Sequence, residues 1–226
     1  MIDREFKKEH SGNIILLWIR KFITSLFYLR GYRKLYPDKP WYMPKAVRFI
    51  EKKLPDLKRV FEFSCGDSSL WFAQRVQEYT AVEHDKAWYT HVSNTLKDRN
   101  LINAKILFFP ADDNSSRFDW EKEWRYFTIL KHPPNNPEFH HYMSSIDSYP
   151  DHHFDCIIID GRERIGCLLH SLPKLAENGI IIFDDSARDR YQEAFSILSD
   201  WYYRSYRFGL GETTFFARKK DLLNFS

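Results

Sequence analysis

Five short apolar runs alternate with amphipathic segments from Val60 onward, and this order restricts the chain to few folds. Short apolar runs bounded by turn residues predict buried strands, and the longer amphipathic segments predict helices. Strands that alternate with helices form a parallel sheet that is covered on both faces. The predicted strands are 60–63, 79–83, 105–109, 154–160 and 180–184, and the predicted helices are 45–54, 69–78, 86–99, 165–176 and 187–203.

The last part of the chain departs from this alternation. Two short runs, 206–209 and 213–218, flank Leu210-Gly211-Glu212 and predict a closing antiparallel hairpin. Asn178-Gly179 is a helix-stop signal and predicts the end of a helix before the fifth strand. The alternating runs and the hairpin together predict a sheet of seven strands.

The 226 residues predict one main domain at 45–226 and a helical extension at 1–44. A polar insert at about 111–153 separates the third and fourth predicted strands, and a loop of this length is more often functional than ordinary. A formal charge of +3 gives no argument for a nucleic-acid partner. The three cysteines lack the spacing of a metal site or a disulfide framework, which favours a cytoplasmic protein.

The run 14–29 is apolar enough to resemble a membrane span, but Arg20 and Lys21 lie at its centre. A charge at that depth costs roughly 2.5–3.5 kcal/mol on insertion scales, so we do not expect a spanning helix. We favour a helix that packs on the main domain or on a second subunit. The alternative is peripheral contact with a membrane, helped by the basic residues Arg30, Arg33 and Lys34.

The turn after the first predicted strand is built from small residues, in the sequence Glu62-Phe63-Ser64-Cys65-Gly66. Small residues let a backbone approach a ligand closely, and the N–H groups that begin the next helix favour polar or anionic groups. The second predicted strand ends in Glu83, and an acid at that place is typical of folds that hold ribose hydroxyls. The pair predicts a nucleoside-containing ligand.

Acidic residues follow every predicted parallel strand. Ligands of such sheets bind at the carboxyl ends of the strands, near the point where the strand order reverses. A purely structural sheet gives no reason for this set of carboxylates, although a single one is explained as a helix cap. Besides Glu62 and Glu83, the acids at these ends are Asp85, Asp112, Asp113, Asp160, Asp184 and Asp185.

These motifs resemble those of the class I S-adenosylmethionine-dependent methyltransferases over roughly residues 45–219. The turn at Glu62 resembles the family's E/D-x-G-x-G motif, with Ser64 in place of the first glycine. The runs 154–161 and 175–185 resemble its fourth-strand and fifth-strand segments, and TTFFAR resembles its terminal hairpin. The resemblance implies an α/β, three-layer Rossmann-like sandwich with a mostly parallel seven-stranded sheet and a C-terminal antiparallel hairpin.

The resemblance also implies an enzyme that binds S-adenosylmethionine. Glu83 corresponds to the acid that accepts hydrogen bonds from the ribose hydroxyls, and Gly66 lies where the methionine part approaches. His84 is expected beside the adenosine and Asp112 at the adenine amino group. The residues expected to bind the cofactor are Glu62, Ser64, Gly66, Glu83, His84 and Asp112.

The segments 160–164 and 184–188 most resemble small-molecule and sugar O-methyltransferases, some of which bind a divalent metal. Asp160, Asp184 and Asp185 fall at the metal-ligand places, and their oxygens would suit Mg²⁺. Two differences weigh against a metal: Glu163 stands where those enzymes have a catalytic lysine, and nearby arginines can neutralise the acids.

Asp160 is the predicted base or metal ligand, and Arg162 and Arg164 are predicted to orient a small-molecule acceptor. The alternative for the arginines is ordinary ion pairing. His140 and His141 are further candidates for a base, provided that the insert folds over the site.

The predicted function is methylation of a small hydroxylated acceptor, such as a sugar or another metabolite. A non-catalytic nucleoside-binding module of the same fold and an aminopropyltransferase remain alternatives. A nicotinamide dehydrogenase is disfavoured because positions 64 and 69 are serines where the G-x-G-x-x-G motif requires glycine. A DNA amino-methyltransferase is disfavoured because Asp160-Gly161-Arg162 replaces its proline-containing fourth-strand motif.

Overall fold

Seven strands form one sheet in the computed structural model, which describes residues 28, 30–37, 39–112, 139–209 and 211–224. The strands are β1 (Arg59–Phe63), β2 (Glu78–Glu83), β3 (Ala104–Phe108), β4 (Phe154–Ile159), β5 (Leu175–Asp184), β6 (Tyr202–Phe208) and β7 (Gly211–Ala217). Their order in the sheet is β3-β2-β1-β4-β5-β7-β6. The first five strands run parallel, and β7 lies antiparallel to both β5 and β6. The predicted fold class is therefore confirmed.

Helices cover both faces of the sheet. They are α1 (Pro44–Lys53), α2 (Asp67–Ala73), α3 (Lys86–Asp98), α4 (His140–Ser144), α5 (Arg164–Ser171) and α6 (Glu193–Ile197). Residues 30–35 are also helical, and short 3₁₀ turns lie at Leu54–Asp56, Ser145–Ser148, Asp189–Tyr191 and Lys220–Leu223.

Successive residues of each strand enter opposite cores, because side chains alternate across a sheet. In β1, Val60 packs with α1, α2 and α3 in one apolar cluster, whereas Phe61 packs with α4, α5 and α6 in the other. Both residues are fully buried. The strands consequently read as continuous apolar runs, which is why the sequence reveals them.

Two predicted helices in the second half of the chain are present but shorter than predicted. The predicted helix 165–176 ends at Ser171, and Leu175 already belongs to β5, where it pairs with Phe154. Asn178-Gly179 is not a helix stop: it lies inside β5, where the register with β4 shifts before Ile180. The predicted helix 187–203 is reduced to a 3₁₀ turn and α6, because β6 begins at Tyr202.

The hairpin is longer than predicted, and it supplies the last two strands of the sheet. Arg218, just after β7, donates hydrogen bonds to the carbonyl oxygens of Leu172, Leu175 and Ala176. The segment that follows β7 is thereby hydrogen-bonded to the start of β5 and the turn before it.

The two least patterned parts of the sequence are described only in part. Residues 1–27 of the predicted extension and 113–138 of the predicted insert lie outside the described residues, so those two predictions stay open. No helix in the part of the chain that the structure describes is long and apolar enough to cross a bilayer.

Candidate functional site

The turn between β1 and α2 places residues 64–66 at the carboxyl edge of the sheet, where the strand order reverses between β1 and β4. Ser64 has a φ of 100°, a backbone conformation that glycine favours. The Ser64 N–H donates to the carbonyl of Val82 at 2.8 Å, and the Cys65 N–H donates to Oε2 of Glu83 at 2.9 Å. The turn is therefore held by the end of β2.

Ser64→Gly is expected to stabilise the protein by about 0.5–1 kcal/mol. Strain at a position of this kind costs roughly 1–3 kcal/mol, and the greater backbone entropy of glycine offsets part of the gain. The variant also loses the long contact, 3.4 Å, between Oγ of Ser64 and Oε2 of Glu83. Urea denaturation measures the change. Ser64→Ala, which keeps the strained backbone, is the control, and equal stability of the two variants would contradict the prediction.

Glu83 is a buried carboxylate that joins two turns. Its Oε2 accepts from the Cys65 N–H, and its Oε1 accepts from the N–H groups of His84 and Asp85, both at 2.8 Å. Nδ1 of His84 lies 2.8 Å from the same Oε1. Burial alone would raise the pKa of Glu83, but these contacts bring it below its ordinary value. The chain's own donors thus engage both oxygens that were predicted to hold ribose, and ribose binding there stays a prediction.

Glu62 points into the core between the sheet and α2, where it belongs to a polar network. The Ser68 hydroxyl donates to its Oε1 at 2.5 Å, and the Tyr79 hydroxyl donates to its Oε2. The side chain is 1% exposed, and burial raises the pKa of Glu62 to about 7 despite these hydrogen bonds. Glu62 therefore supports the turn from inside the core and does not line an open surface.

The raised pKa of Glu62 predicts a pH-dependent stability. The folded protein holds this proton up to about pH 7, whereas an unfolded glutamate releases it near its ordinary pKa of 4.5. The folded state binds more protons in this window, so the free energy of unfolding falls as the pH rises from about 4.5 to 7. Glu62→Gln is expected to flatten part of this fall in denaturation series across the window. Glu78→Gln, in the exposed end of β2, is the control; a slope unchanged by Glu62→Gln would contradict the prediction.

Gly66 leaves open space where a side chain would lie. A Cβ built on Gly66 meets no atom within 4 Å, and its φ of 174° is extended backbone that any residue adopts. The fold does not require glycine here. A ligand that approaches the backbone closely gives a reason for it.

The ends of β2 and β4 are connected through His84 and Arg162. Nε of Arg162 donates to Nε2 of His84 at 3.3 Å, and Nδ1 of the same ring lies 2.8 Å from Oε1 of Glu83. The His84 ring also packs edge-on against Phe139 and Tyr142. The predicted cofactor residue and the predicted acceptor residue therefore touch each other.

Asp112 follows β3, and its carboxylate is occupied by His141. It accepts a hydrogen bond from the His141 N–H at 3.0 Å and contacts Nδ1 of the same residue. Burial would raise the pKa of Asp112, but the bonds from His141 lower it. The insert does return to this edge at His141, yet that side chain is 73% exposed and pairs with Asp112, so the proposed roles of both residues stay predictions.

Tyr142 lies on α4 and fills the space beside Gly161. A Cβ on Gly161 would lie only 2.0 Å from the Tyr142 hydroxyl oxygen and 3.0 Å from the Phe63 carbonyl oxygen. Tyr142 is fully buried, and its hydroxyl has no hydrogen-bond partner among the described residues. Glycine at 161 is thus a packing requirement, which the sequence motif alone did not reveal.

Arg164 clamps the ends of β4 and β5 together. Its guanidinium donates to the carbonyl oxygens of Asp160, Gly161 and Asp184 and to Oδ1 of Asp160, the last at 2.9 Å. The residue is 7% exposed. These bonds use four of the five guanidinium N–H donors and give Arg164 a structural role, and its predicted role in orienting an acceptor stays a prediction.

The three carboxylates predicted to bind Mg²⁺ do not form a metal site. Asp160 and Asp185 both face the guanidinium of Arg164, and Asp185 also pairs with Arg188. Oδ1 of Asp184 accepts from the Thr213 hydroxyl at 2.6 Å. Across the described ranges, no group of three potential ligands is placed to hold a metal ion. Arginine side chains pair with Asp160 and Asp185, whereas the carboxylate of Asp184 pairs with Thr213.

Asp160 and Asp184 nevertheless keep one unengaged oxygen each. Oδ2 of either carboxylate has no hydrogen-bond partner in the described part of the chain. Burial raises the pKa of both carboxylates, against the opposing effect of Arg164. Neighbouring acids add to the rise, namely Glu62 and Asp185 for Asp160, and Asp160 and Asp185 for Asp184. Raised pKa values bring a carboxylate closer to the range of a general base at neutral pH.

Tyr42, in the segment before α1, lies near this pair, and no sequence pattern indicated it. The Met43 N–H donates to Oγ1 of Thr213 at 3.3 Å, and Thr213 in turn donates to Asp184. Tyr42 is 2% exposed, and its hydroxyl has no partner among the described residues. Burial raises the pKa of Tyr42, and the nearby carboxylates of Glu62, Asp160 and Asp184 raise it further.

Solved structures with the same arrangement of strands and helices are methyltransferases or resemble them. A methyltransferase from Geobacter sulfurreducens is 12% identical, with a TM-score of 0.53, and the match covers 87% of this chain and 90% of that one. A Staphylococcus aureus protein assigned as a caffeoyl-CoA O-methyltransferase is 13% identical, with a TM-score of 0.55. The match covers 85% of this chain and 92% of that one. The chain has a class I methyltransferase fold.

A methyltransferase-like protein from Silicibacter pomeroyi extends the comparison, at 19% identity and a TM-score of 0.53 over 79% of this chain and 89% of that one. No protein-family sequence model and no curated protein matches the chain. The likeness lies in the fold, and the residues at the carboxyl edge have to carry the functional argument.

Within the methyltransferase fold, most of the predicted site residues come together at one edge. Gly66, His84, Arg162 and Asp160 lie at the ends of β1, β2 and β4, around the reversal of strand order. Tyr42 and Tyr142 are the residues that sequence reasoning missed. Both come from segments without helical or strand periodicity, and no spacing rule connects them to the site.

Proposed function

We propose that the protein is an S-adenosylmethionine-dependent methyltransferase that methylates a hydroxyl group of a small acceptor. The observation that carries this proposal is Gly66, a glycine that the fold does not need, in the turn where the strand order reverses. The methyltransferase fold supports it. The buried, unpartnered hydroxyl of Tyr42 adds a second polar group that lacks a partner at this edge.

The cofactor fits the chain at its methionine end. The open space at Gly66 would admit this part, and the N–H groups at the start of α2 face the same turn. His84 and Arg162 lie along the adjacent strand ends, where the nucleoside would follow. S-adenosylmethionine would supply the methyl group: the acceptor oxygen would bond to the methyl carbon in line with the carbon–sulfur bond, which breaks so that S-adenosylhomocysteine leaves.

The chain's own residues have two tasks in this reaction. The acceptor must be held in line with the methyl group, and positioning of this kind supplies much of the rate. Its hydroxyl proton must also move to a base. Oδ2 of Asp160 has no other partner among the described residues, and the raised pKa of this carboxylate suits it to accept that proton. The Tyr42 hydroxyl is available to orient the acceptor.

Calorimetry with S-adenosylhomocysteine tests the cofactor site. Gly66→Leu is expected to keep the melting temperature, because its Cβ meets nothing, and to abolish detectable binding by filling the open space. Gly31→Leu is the matched control, since a Cβ at Gly31 also meets no atom within 4 Å. Binding that persists in Gly66→Leu, or a parent that binds neither S-adenosylhomocysteine nor S-adenosylmethionine, would overturn the proposal.

Turnover separates the alternatives that share this fold. Methyl transfer from labelled S-adenosylmethionine to a panel of polyols and phenols, lost in Asp160→Asn, would support hydroxyl methylation. Cofactor binding without transfer to any member of the panel would favour the non-catalytic module. The three cysteines are free and buried, in keeping with the cytoplasmic location that we propose.

A further inference from the structure

The described residues before α1 present an exposed surface that combines aromatic, aliphatic and basic side chains. Leu35 is 75% exposed, Trp41 57%, and Tyr28 and Tyr36 are each 48% exposed. Four of the nine exposed large hydrophobic residues of the described chain thus fall within fourteen positions. We call the surface formed by Tyr28, Arg30, Lys34, Leu35, Tyr36 and Trp41 the basic aromatic face.

The cations of this face have no acidic partners. Arg30 and Lys34 are exposed and form no ion pair with any described residue. The Arg33 guanidinium stacks over the Trp41 ring at 3.7 Å, which holds that aromatic side chain at the surface. In the sequence, the stretch from His10 to Pro37 contains five Lys and Arg residues and no Asp or Glu.

The same stretch is rich in large apolar residues, of which Ile14 to Leu29 form the densest run. Apolar side chains mixed with cations and free of anions are the composition of segments that lie in a membrane interface. Aromatic rings and basic side chains settle at the headgroup level, where the ring is half-buried and the cation meets anionic lipid. We infer that the basic aromatic face binds the surface of a membrane that contains anionic lipid.

A second copy of the chain is a poorer occupant. In a two-fold dimer the same face meets itself, so the unpaired cations would oppose one another. Nucleic acid is also poorer, because phosphate contacts use the cations but leave Leu35 and the apolar run without a role. A membrane with anionic lipid interacts with both the apolar side chains and the cations of the face.

The face lies at the same edge of the sheet as the candidate site. The Tyr28 ring packs against Phe208, at the end of β6, with ring centroids 4.8 Å apart. The following segment is anchored to Asp184 through Met43 and Thr213. Membrane binding through this face would therefore bring the carboxyl edge of the sheet toward the lipid.

Vesicle flotation with the full chain tests the inference. The protein is expected to float with phosphatidylcholine vesicles that contain about a third phosphatidylglycerol and to remain in solution with phosphatidylcholine alone. Arg30→Gln combined with Lys34→Gln is expected to weaken binding about 30-fold, since each cation near an anionic surface contributes about 1 kcal/mol. Leu35→Ser combined with Trp41→Ser is expected to weaken it by about tenfold or more.

Lys58→Gln combined with Lys220→Gln is the matched control. Both lysines are exposed and lie at the opposite edge of the sheet, before β1 and after β7. Unchanged binding in this control, with unchanged melting temperatures in all variants, supports the inference. Three results would overturn it: no flotation with the anionic vesicles, an equal loss in the control, or substitutions in the face that dissociate an oligomer and leave vesicle binding intact.

Discussion

Glu83→Ala is expected to lower the free energy of unfolding by about 3 kcal/mol or more. The carboxylate accepts hydrogen bonds from the N–H groups of Cys65, His84 and Asp85, and it is 2% exposed. Alanine would leave these three donors, one buried and two part-buried, without this partner, and an unsatisfied buried donor costs roughly 1–3 kcal/mol. Urea denaturation followed by circular dichroism measures the loss.

Glu78→Ala is the matched control for Glu83→Ala. Glu78 is the first residue of the same strand, its side chain is 40% exposed, and its Oε2 lies 3.9 Å from Nε2 of His153. Exposed pairs of this kind contribute about 0–1 kcal/mol. Equal losses in the two variants would show that Glu83 does not hold the two turns. Because Glu83 has this structural role, loss of ligand binding in its variants is ambiguous, and Gly66→Leu is the cleaner test of function.

Arg164→Met is expected to lower the free energy of unfolding by about 3–5 kcal/mol, the usual effect of removing one partner from a buried ion pair. Methionine retains the apolar stem but leaves Oδ1 of Asp160 and the carbonyl oxygen of Asp184 without their donor. Arg164→Lys is expected to recover little, because an ammonium group lacks the planar fork that reaches these oxygens together. Chemical denaturation at neutral pH measures both variants.

The pH dependence of Arg164→Met provides a second observable. Arg164 opposes the burial that raises the pKa of Asp160, so its removal raises this pKa further. The folded variant then binds the proton more tightly than the unfolded chain does, and it regains stability as the pH falls from neutral toward about 4. Arg162→Met, at the rim of the same edge, is the control, and it is expected to lose about 1 kcal/mol or less. If Arg164→Met lowers the free energy of unfolding no more than Arg162→Met does, the proposed role of Arg164 in holding β4 and β5 together is contradicted.

The sheet was predictable from the sequence because its strands are buried on both faces. Such strands read as uninterrupted apolar runs, and the run 180–183 is the clearest of them. The start of β5 was not predictable, because Leu175 to Gly179 has the local pattern of a helix end. Pairing of Leu175 with Phe154 outweighs that local preference.

The position of the candidate site was predictable for a related reason. Parallel strands end at one edge, so the acids that follow them had to lie there together. Their partners were not predictable: Arg164 turns inward to three carbonyl oxygens, which no sequence motif distinguishes from an arginine that faces a substrate. Tyr42 and Tyr142 arrive from segments whose positions depend only on tertiary packing.

The placement of β7 beside β5 has a consequence for how the chain is made. Ile180–Phe183 pair on one side with β4 and on the other with residues 214–217, which are synthesised about thirty positions later. Until β7 emerges, the growing chain presents an apolar, unpaired strand edge of the kind that promotes aggregation. The final hairpin therefore completes the sheet and ends this vulnerable stage of biosynthesis, and a chain truncated before β7 is expected to accumulate in the insoluble fraction.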